Sequence, residues 1–217
     1  MDFVGNLGGG AGIGGLSDET AIDILMMAYA GLRNKRIVEL CHQCGINAIG
    51  LSGIDGKVIQ GQRNKGIRVM EGGKLKILRD FSGKPNQVNK ELLELLLENK
   101  YVPVLCVPII DENNYAINSE NDDIINVLQS TLHADKIIQL VEATGFLDDK
   151  DNPHSLVKAI SKDELKFREE QVEGRMKRKM LALRKLFESG AGTVILSDGR
   201  TEHPIKDALA GKGTIIQ

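Results

Sequence analysis

Apolar positions along the chain recur in two periods, and their alternation predicts an α/β protein. The continuous apolar run at 102–107 reads as a strand covered on both faces, 47–52 and Lys136–Val141 read as further buried strands, and 193–196 and Thr214–Ile216 as strands. Helical periodicity fills most of the intervals. The stretch 21–45 reads as helix in two pieces around Gly31, opened by Ser17-Asp18-Glu19-Thr20 as an N-cap and acidic first turn. The stretch 89–100 turns Leu92, Leu93, Leu96 and Leu97 inward, and 122–132 is a further helix. Along 174–189, Met176, Met180, Leu183 and Phe187 make a core-facing stripe, and 205–209 is a short last helix. Short runs at 58–59, 67–69 and 75–78, broken by glycines, predict hairpins, and 144–155 a loop. Strands alternating with helices predict a three-layer sandwich with a mainly parallel central sheet.

The first sixteen residues break this pattern. Gly8, Gly9, Gly10, Gly12, Gly14 and Gly15 make a tract that holds neither helix nor strand well. Gly10, Gly12 and Gly15 satisfy the dinucleotide-binding spacing, but that site needs a strand just before it, and 1–7 reads as a poor one.

Composition narrows the class of protein. The 217 residues carry 41% hydrophobic and 27% charged side chains and a net charge of −2. Such a chain buries a substantial core and has no global attraction to nucleic acid or anionic membrane. No apolar run approaches the ~20 residues of a membrane helix, and the start lacks a signal-peptide pattern, so a cytoplasmic protein is expected. Cys41, Cys44 and Cys106 are an odd count that fits a reducing compartment. Cys41 and Cys44 have metal spacing without a second ligand pair, and read as small buried hydrophobes on one helix face.

In open α/β sheets ligands bind beyond the carboxyl ends of strands, which selects the loops 50–56, 108–123, 141–145 and 197–204. In the first, Gly50, Ser52 and Gly53 would let a substrate approach the backbone; a tight turn before a hairpin is the alternative. In the second, Asn118 can donate and accept toward a carboxylated substrate. Asp122 lies in a helical first turn, where the dipole favours an anion and the carboxylate could orient lysines; a plain acidic first turn is the alternative. Gly174-Arg175-Met176-Lys177-Arg178-Lys179 begins a helix whose free amides suit phosphate, with Lys179 one turn in; a solvated basic face is the alternative. Residues 57–79 hold seven Lys or Arg and one acid, Glu71, a local basic patch able to attract an acidic partner. A lysine-rich edge that prevents aggregation has the same composition.

In series, several segments resemble the amino-acid kinase family, in its acetylglutamate kinase branch. They are Leu16-Ser17-Asp18, Gly31-Leu32-Arg33-Asn34-Lys35-Arg36, Asn47-Ala48-Ile49-Gly50-Leu51-Ser52-Gly53, Phe81-Ser82-Gly83-Lys84, Tyr101-Val102-Pro103-Val104, Ala116-Ile117-Asn118, the 174–179 string and Ser197-Asp198-Gly199-Arg200. The 174–179 string is closer to kinases that phosphorylate 2-aminoadipate attached to the carrier protein LysW. The resemblance implies a substrate lobe over 1–134 and a nucleotide lobe over 135–217. It implies ATP with Mg²⁺, a homodimer, and phosphoryl transfer to a carboxylate by positioning and charge neutralisation. Asn118 would hold the substrate backbone, with Gly50, Ser52 and Gly53 lining the approach. Asp122 would organise the catalytic lysines and Lys179 would stabilise the phosphoryl group in transit. Gly174, Arg175 and Met176 would offer amides to the nucleotide, and Glu142 would lie near the ribose. Lys57, Arg63, Lys65 and Arg68 would receive the acidic carrier, and no residue is assigned to metal.

The chain departs from the family's opening. A first strand ending in lysine and a glycine pair, its helix, and a second strand with its own glycine turn are not recognised, and Gly15 stands where the family has a substrate-gripping arginine. Loss of one charge-stabilising contact typically costs ~10²–10³ in rate. An upstream segment outside this sequence, a decayed gene, or a non-catalytic regulatory subunit would each account for the pattern. The acceptor stays open among aminoadipate, glutamate and free N-acetylglutamate.

Overall fold

The computed structural model describes residues 5–6, 19–71, 74–78, 80–149, 151–152, 154–172 and 174–217; for 5–6, 67–69, 71, 74–78 and 174–176 only the backbone is described. The chain divides into two compact units, Met1–Thr131 and Leu132–Gln217.

In the first unit, strand Ala48–Ser52 lies parallel to Val102–Cys106, in register from Ala48 opposite Val102 to Ser52 opposite Cys106. The apolar run of Val102–Cys106 makes it the central strand, with Val104 and Leu105 buried. On its other edge sits Gly5–Asn6, also parallel, with Gly5 opposite Val104 and Asn6 opposite Leu105. This corrects the expectation that no strand flanks the glycine tract. Gly5 and Asn6 have poor intrinsic strand preference, but pairing with a buried central strand overrides it. Gly8, Gly9, Gly10, Gly12, Gly14 and Gly15, with Leu16-Ser17-Asp18, lie outside the described residues.

The helical region is continuous, Glu19–Leu25 passing through π-helical Met26–Arg33 into Asn34–Gln43. Gly31 lies inside the π-helical segment and leaves no gap. Asn34, the first residue after the π segment, is 1% exposed. Its Nδ2 donates to the Val104 carbonyl at 2.8 Å, and its Oδ1 accepts from Lys35 Nζ at 3.2 Å. Lys35 Nζ also donates to the Gly50 carbonyl at 3.1 Å. A Cβ on Gly50 would come within 1.9 Å of Asn34 Oδ1 and 2.9 Å of Val38 Cγ2. Glycine at position 50 therefore lets the helix sit close against both strands. The cysteine expectation fails here: Cys41 is half-buried and Cys44, past the end of the helix, is exposed.

A second sheet in this unit runs Gly83–Val88, Ile59–Arg63, Ile109–Ile110, Ala116–Ile117. Ile59–Arg63 is antiparallel to Gly83–Val88 and parallel to Ile109–Ile110. Gly83–Val88 escapes sequence reading because Lys84, Pro85, Asn86 and Gln87 show no apolar alternation. Between these two strands the chain makes the hairpin Ile67–Glu71 and Lys74–Leu78. Helix Lys90–Glu98 is capped by Asn89, whose Oδ1 accepts from the Leu92 amide at 3.1 Å, and it buries Leu93. Helix Asn121–Leu132 buries Ile124 and Leu128.

The second unit holds one sheet in the order Lys136–Val141, Thr193–Asp198, Thr214–Ile216, Ala159–Ile160. The first pair is parallel from Lys136 opposite Thr193 to Val141 opposite Asp198, and Thr193–Asp198 is antiparallel to Thr214–Ile216. Helix Gly174–Glu188 buries Met180, Leu183 and Leu186, whereas Phe187 is only half-buried. Leu186, three residues after Leu183, takes the inward position expected of Phe187. Strand Ala159–Ile160 and helix Glu164–Gln171 were not expected from the sequence; two residues are too short for a pattern, and the helix is largely polar. The chain is α/β as predicted, with mixed as well as parallel strand pairs.

Two substitutions test the seat of the helix by urea unfolding. Asn34→Ala removes a buried hydrogen bond to the Val104 carbonyl and should cost about 1–3 kcal/mol, and Gly50→Ala should cost about as much through overpacking. Because the clash involves Asn34 Oδ1, the double variant should lose less than the sum by at least about 0.5 kcal/mol. Strict additivity would contradict the proposed contact.

Candidate functional site

In the first unit, the parallel strands Ala48–Ser52 and Val102–Cys106 end side by side, and their carboxyl ends pass into turns. The Gly53 amide donates to the Cys106 carbonyl at 3.0 Å. Asp55 Oδ2 accepts from both the Ser52 amide at 2.7 Å and the Ser52 hydroxyl at 2.8 Å, closing the turn. Ser52 is 7% exposed, so its hydroxyl is committed to the loop. A Cβ on Gly53 would lie 2.8 Å from Ile109 Cα. Gly50, Ser52 and Gly53 each have close protein neighbours, Asn34 for Gly50, Asp55 for Ser52 and Ile109 for Gly53. Burial pushes the neighbouring Cys106 thiol up to about 11, so it stays protonated.

Asn118 stands where the second sheet ends, just past Ala116–Ile117. Its amide donates to the Phe81 carbonyl at 2.8 Å, and its carbonyl accepts from the Gly83 amide at 2.9 Å. Ser82 and Asn118 form a parallel bridge. With both backbone groups used, the half-buried side-chain amide is what Asn118 has left for a ligand. Ser119 beside it is buried, and its hydroxyl has no hydrogen-bond partner among the described residues. Sequence reasoning passed over this serine, and only burial distinguishes it. Asp122 is half-buried in the first turn of helix Asn121–Leu132, and its carbonyl accepts from Asn126 Nδ2 at 2.8 Å.

The basic residues of this unit differ in placement. Lys57 occupies a left-handed turn position (φ 52°) and its ammonium donates to Asn114 Oδ1 at 2.7 Å on the surface. Lys65 is exposed. Arg63 is turned inward: its side chain is 19% exposed, lies 3.8 Å over the Phe81 ring, and donates from Nε to the Asp80 carbonyl at 2.7 Å. The Arg68 side chain lies outside what is described.

In the second unit, Val141 and Asp198 are opposite each other where two parallel strands end. Glu142 follows, exposed, and the Gly199 amide donates to the Val141 carbonyl at 2.9 Å. Arg200 grips Asp198 with Nε and Nη2, each at 2.8 Å. Those hydrogen bonds hold the Asp198 carboxyl at about 2, and Asp198 first, then Glu142, raise the Arg200 guanidinium. An acid–arginine–acid cluster therefore marks this end of the sheet. Helix Gly174–Glu188 begins at the expected glycine, and Lys179, half-buried, is in its second turn. The side chains of Arg175 and Met176 lie outside what is described; Gly174 is described by its backbone. Arg184 Nε ties the helix to Glu169 of Glu164–Gln171 at 3.0 Å.

Known proteins give this geometry a context. The chain is 38% identical to the LysW-aminoadipate kinase of Thermus thermophilus over 96% of its own length and 78% of the relative's. It is 30% identical to the acetylglutamate kinase of Methanopyrus kandleri, covering 93% of this chain and 79% of that one. Among solved structures, carbamate kinase from Giardia lamblia bound to AMP-PNP superposes with a TM-score of 0.60 at 15% identity, over 86% of this chain and 71% of that one. At that identity the likeness is one of fold. The family model described as "Amino acid kinase family" matches residues 5–197, and this chain belongs to that family of phosphotransferases.

Proposed function

We propose that the chain transfers the γ-phosphoryl group of ATP to the side-chain carboxylate of 2-aminoadipate or glutamate borne by an acidic carrier protein of the LysW type, in lysine or arginine biosynthesis. The observation that carries this reading is the higher identity to a LysW-aminoadipate kinase, 38% against 30% for an acetylglutamate kinase. The basic residues of 57–79, with Lys57 and Lys65 at the surface, support it.

A carboxylate oxygen of the acceptor attacks the γ-phosphorus, the bond from phosphorus to the β,γ-bridging oxygen breaks, and ADP leaves. The product is an acyl phosphate. The acceptor is already ionised near neutral pH, so no general base is needed. What remains is positioning and neutralising charge on the phosphoryl oxygens. Lys179 carries that charge, the amides of Gly174, Arg175 and Met176 hold the nucleotide phosphates, and Asp122 is the carboxylate that the first unit contributes to catalysis. Glu142 lies toward the ribose and Asn118 toward the substrate backbone. Mg²⁺, when bound, would be held mainly by the ATP phosphate and water oxygens, and no residue of this chain is assigned to it. When bound, the ion neutralises phosphate charge. Free N-acetylglutamate is the second acceptor to consider, on the strength of the Methanopyrus kandleri relative. Ile24, Met27 and Leu32, each more than half exposed on the Glu19–Leu25 and Met26–Arg33 helical region, offer a second copy of the chain an apolar face.

Lys179→Ala should lower kcat for ADP release by ~10²–10³ with little change in KM for ATP; an unchanged kcat would remove Lys179 from the phosphoryl path. Lys57→Glu with Lys65→Glu should raise KM for carrier-borne substrate severalfold at low salt, and the effect should shrink as ionic strength rises. Turnover on free N-acetylglutamate that ignores those lysines would favour the second acceptor. Absence of turnover with any acceptor would favour a regulatory subunit.

A further inference from the structure

The strand pair that carries the basic hairpin ends in a knot of contacts centred on Arg63. Strand Ile59–Arg63 closes against Gly83–Val88 with Arg63 opposite Gly83, so the whole excursion 64–82 springs from that pair. At its root, the Asn64 amide donates to the Ser82 carbonyl at 2.8 Å and Asn64 Nδ2 donates to Ser82 Oγ at 2.8 Å. Ser82 Oγ in turn donates to Asp80 Oδ2 at 2.6 Å. Arg63 reaches across this root: its guanidinium stacks on Phe81 and its Nε binds the Asp80 carbonyl. Behind it, the Arg63 amide donates to Glu112 Oε2 at 2.9 Å, and Nη1 lies 4.0 Å from Asp111 Oδ2. Asp111 is 4% exposed, and its other oxygen accepts from the Asn113 and Tyr115 amides at 2.9 and 2.8 Å, so its position is fixed by the 111–115 turn.

The residues held by Arg63 also hold Asn118. The Phe81 carbonyl accepts the Asn118 amide, and Gly83, opposite Arg63, donates to the Asn118 carbonyl. Gly83 has no room for a side chain, since a Cβ would meet the Gln62 carbonyl oxygen at 2.4 Å and Ile117 Cδ1 at 2.5 Å. Three things therefore share one brace: the base of the basic hairpin, the Asp111 turn and the backbone of the candidate substrate residue.

From this we infer that Arg63 is a positioning residue, a clamp that sets the hairpin Ile67–Glu71 and Lys74–Leu78 in register with Asn118, and is not itself a surface contact for the acidic partner. This rests on the carrier reading above. A partner docked on the hairpin delivers its tethered substrate, by its backbone, to Asn118 at a distance the clamp defines. Lysine cannot substitute, because the clamp needs a planar cation that stacks on a ring while donating in the plane. A plain charge contact at a surface would tolerate lysine. This difference separates the two roles.

The test compares Arg63→Lys, Arg63→Ala and Phe81→Leu in the full chain. Backbone amide exchange over 67–71 and 74–78 should speed up in all three, least in Phe81→Leu. KM for carrier-borne substrate should rise about 10-fold or more in both Arg63 variants through misplacement. KM for ATP should stay as in the wild type, and the salt dependence of the carrier KM should be unchanged. If Arg63→Lys matches the wild type in exchange and in carrier KM, the clamp is overturned. A carrier KM that rises only in Arg63→Ala, with a weakened salt dependence, would make Arg63 a direct charge contact and also overturn it. If the wild type shows no carrier-dependent turnover, the functional reading falls, and hydrogen exchange alone still decides the clamp. Should Arg63→Ala fail to fold, Arg63→Lys and Phe81→Leu carry the test.

Discussion

The buried amide of Asn34 is the contact on which the first unit depends. It joins a helix to the central strand through Val104, and its oxygen occupies the space that a side chain at position 50 would need. Removing a buried donor from its acceptor costs more than the hydrogen bond is worth, because the acceptor is left without water. The helix, the strands Ala48–Ser52 and Val102–Cys106 and the turns that follow them are therefore placed together. The π-helical Met26–Arg33 just before Asn34 is how the helix reaches that seat: one wide winding shifts the register so that Asn34 points at the sheet.

A second brace, at Arg63, works in the same unit by a different interaction. Here an arginine spans a ring, a backbone carbonyl and a buried carboxylate, and the pieces it joins are an excursion rich in cations and the residue that follows Ala116–Ile117. In the other unit, Asp198, Arg200 and Glu142 cluster where two parallel strands end, and a helix begins at Gly174. Each unit thus brings charged or polar groups to the carboxyl ends of parallel strands, where open α/β sheets place ligands. Phosphoryl transfer to an ionised carboxylate needs little more of a protein than such placement.

Most of this fold was legible in the sequence because strands such as Val102–Cys106 and Thr193–Asp198 carry apolar centres that the fold buries; Lys136–Val141 was also read as a buried strand, but of its residues only Gln139 is buried. Gly83–Val88 was not legible, since its Lys84, Pro85, Asn86 and Gln87 hide an edge of a sheet in polar residues. Gly5–Asn6 was not, since its strand character comes entirely from the neighbour it pairs with. Cys44 misled because the apolar periodicity runs one residue past the helix end. For the site, residue type suggested Gly50, Ser52 and Gly53, but not the close packing of the two glycines or the turn that Asp55 closes on Ser52. Nor does any spacing rule reveal the ring contact between Arg63 and Phe81.

The most direct measurement of the central claim is where the new phosphoryl bond forms. With ATP, a carrier protein loaded with 2-aminoadipate or glutamate, and hydroxylamine as trap, intact mass of the carrier reports an acyl phosphate as a hydroxamate. The account predicts hydroxamate on the carrier-borne side chain, formed in step with ADP. Hydroxamate found only on free N-acetylglutamate, with the loaded carrier unmodified under the same conditions, would contradict it.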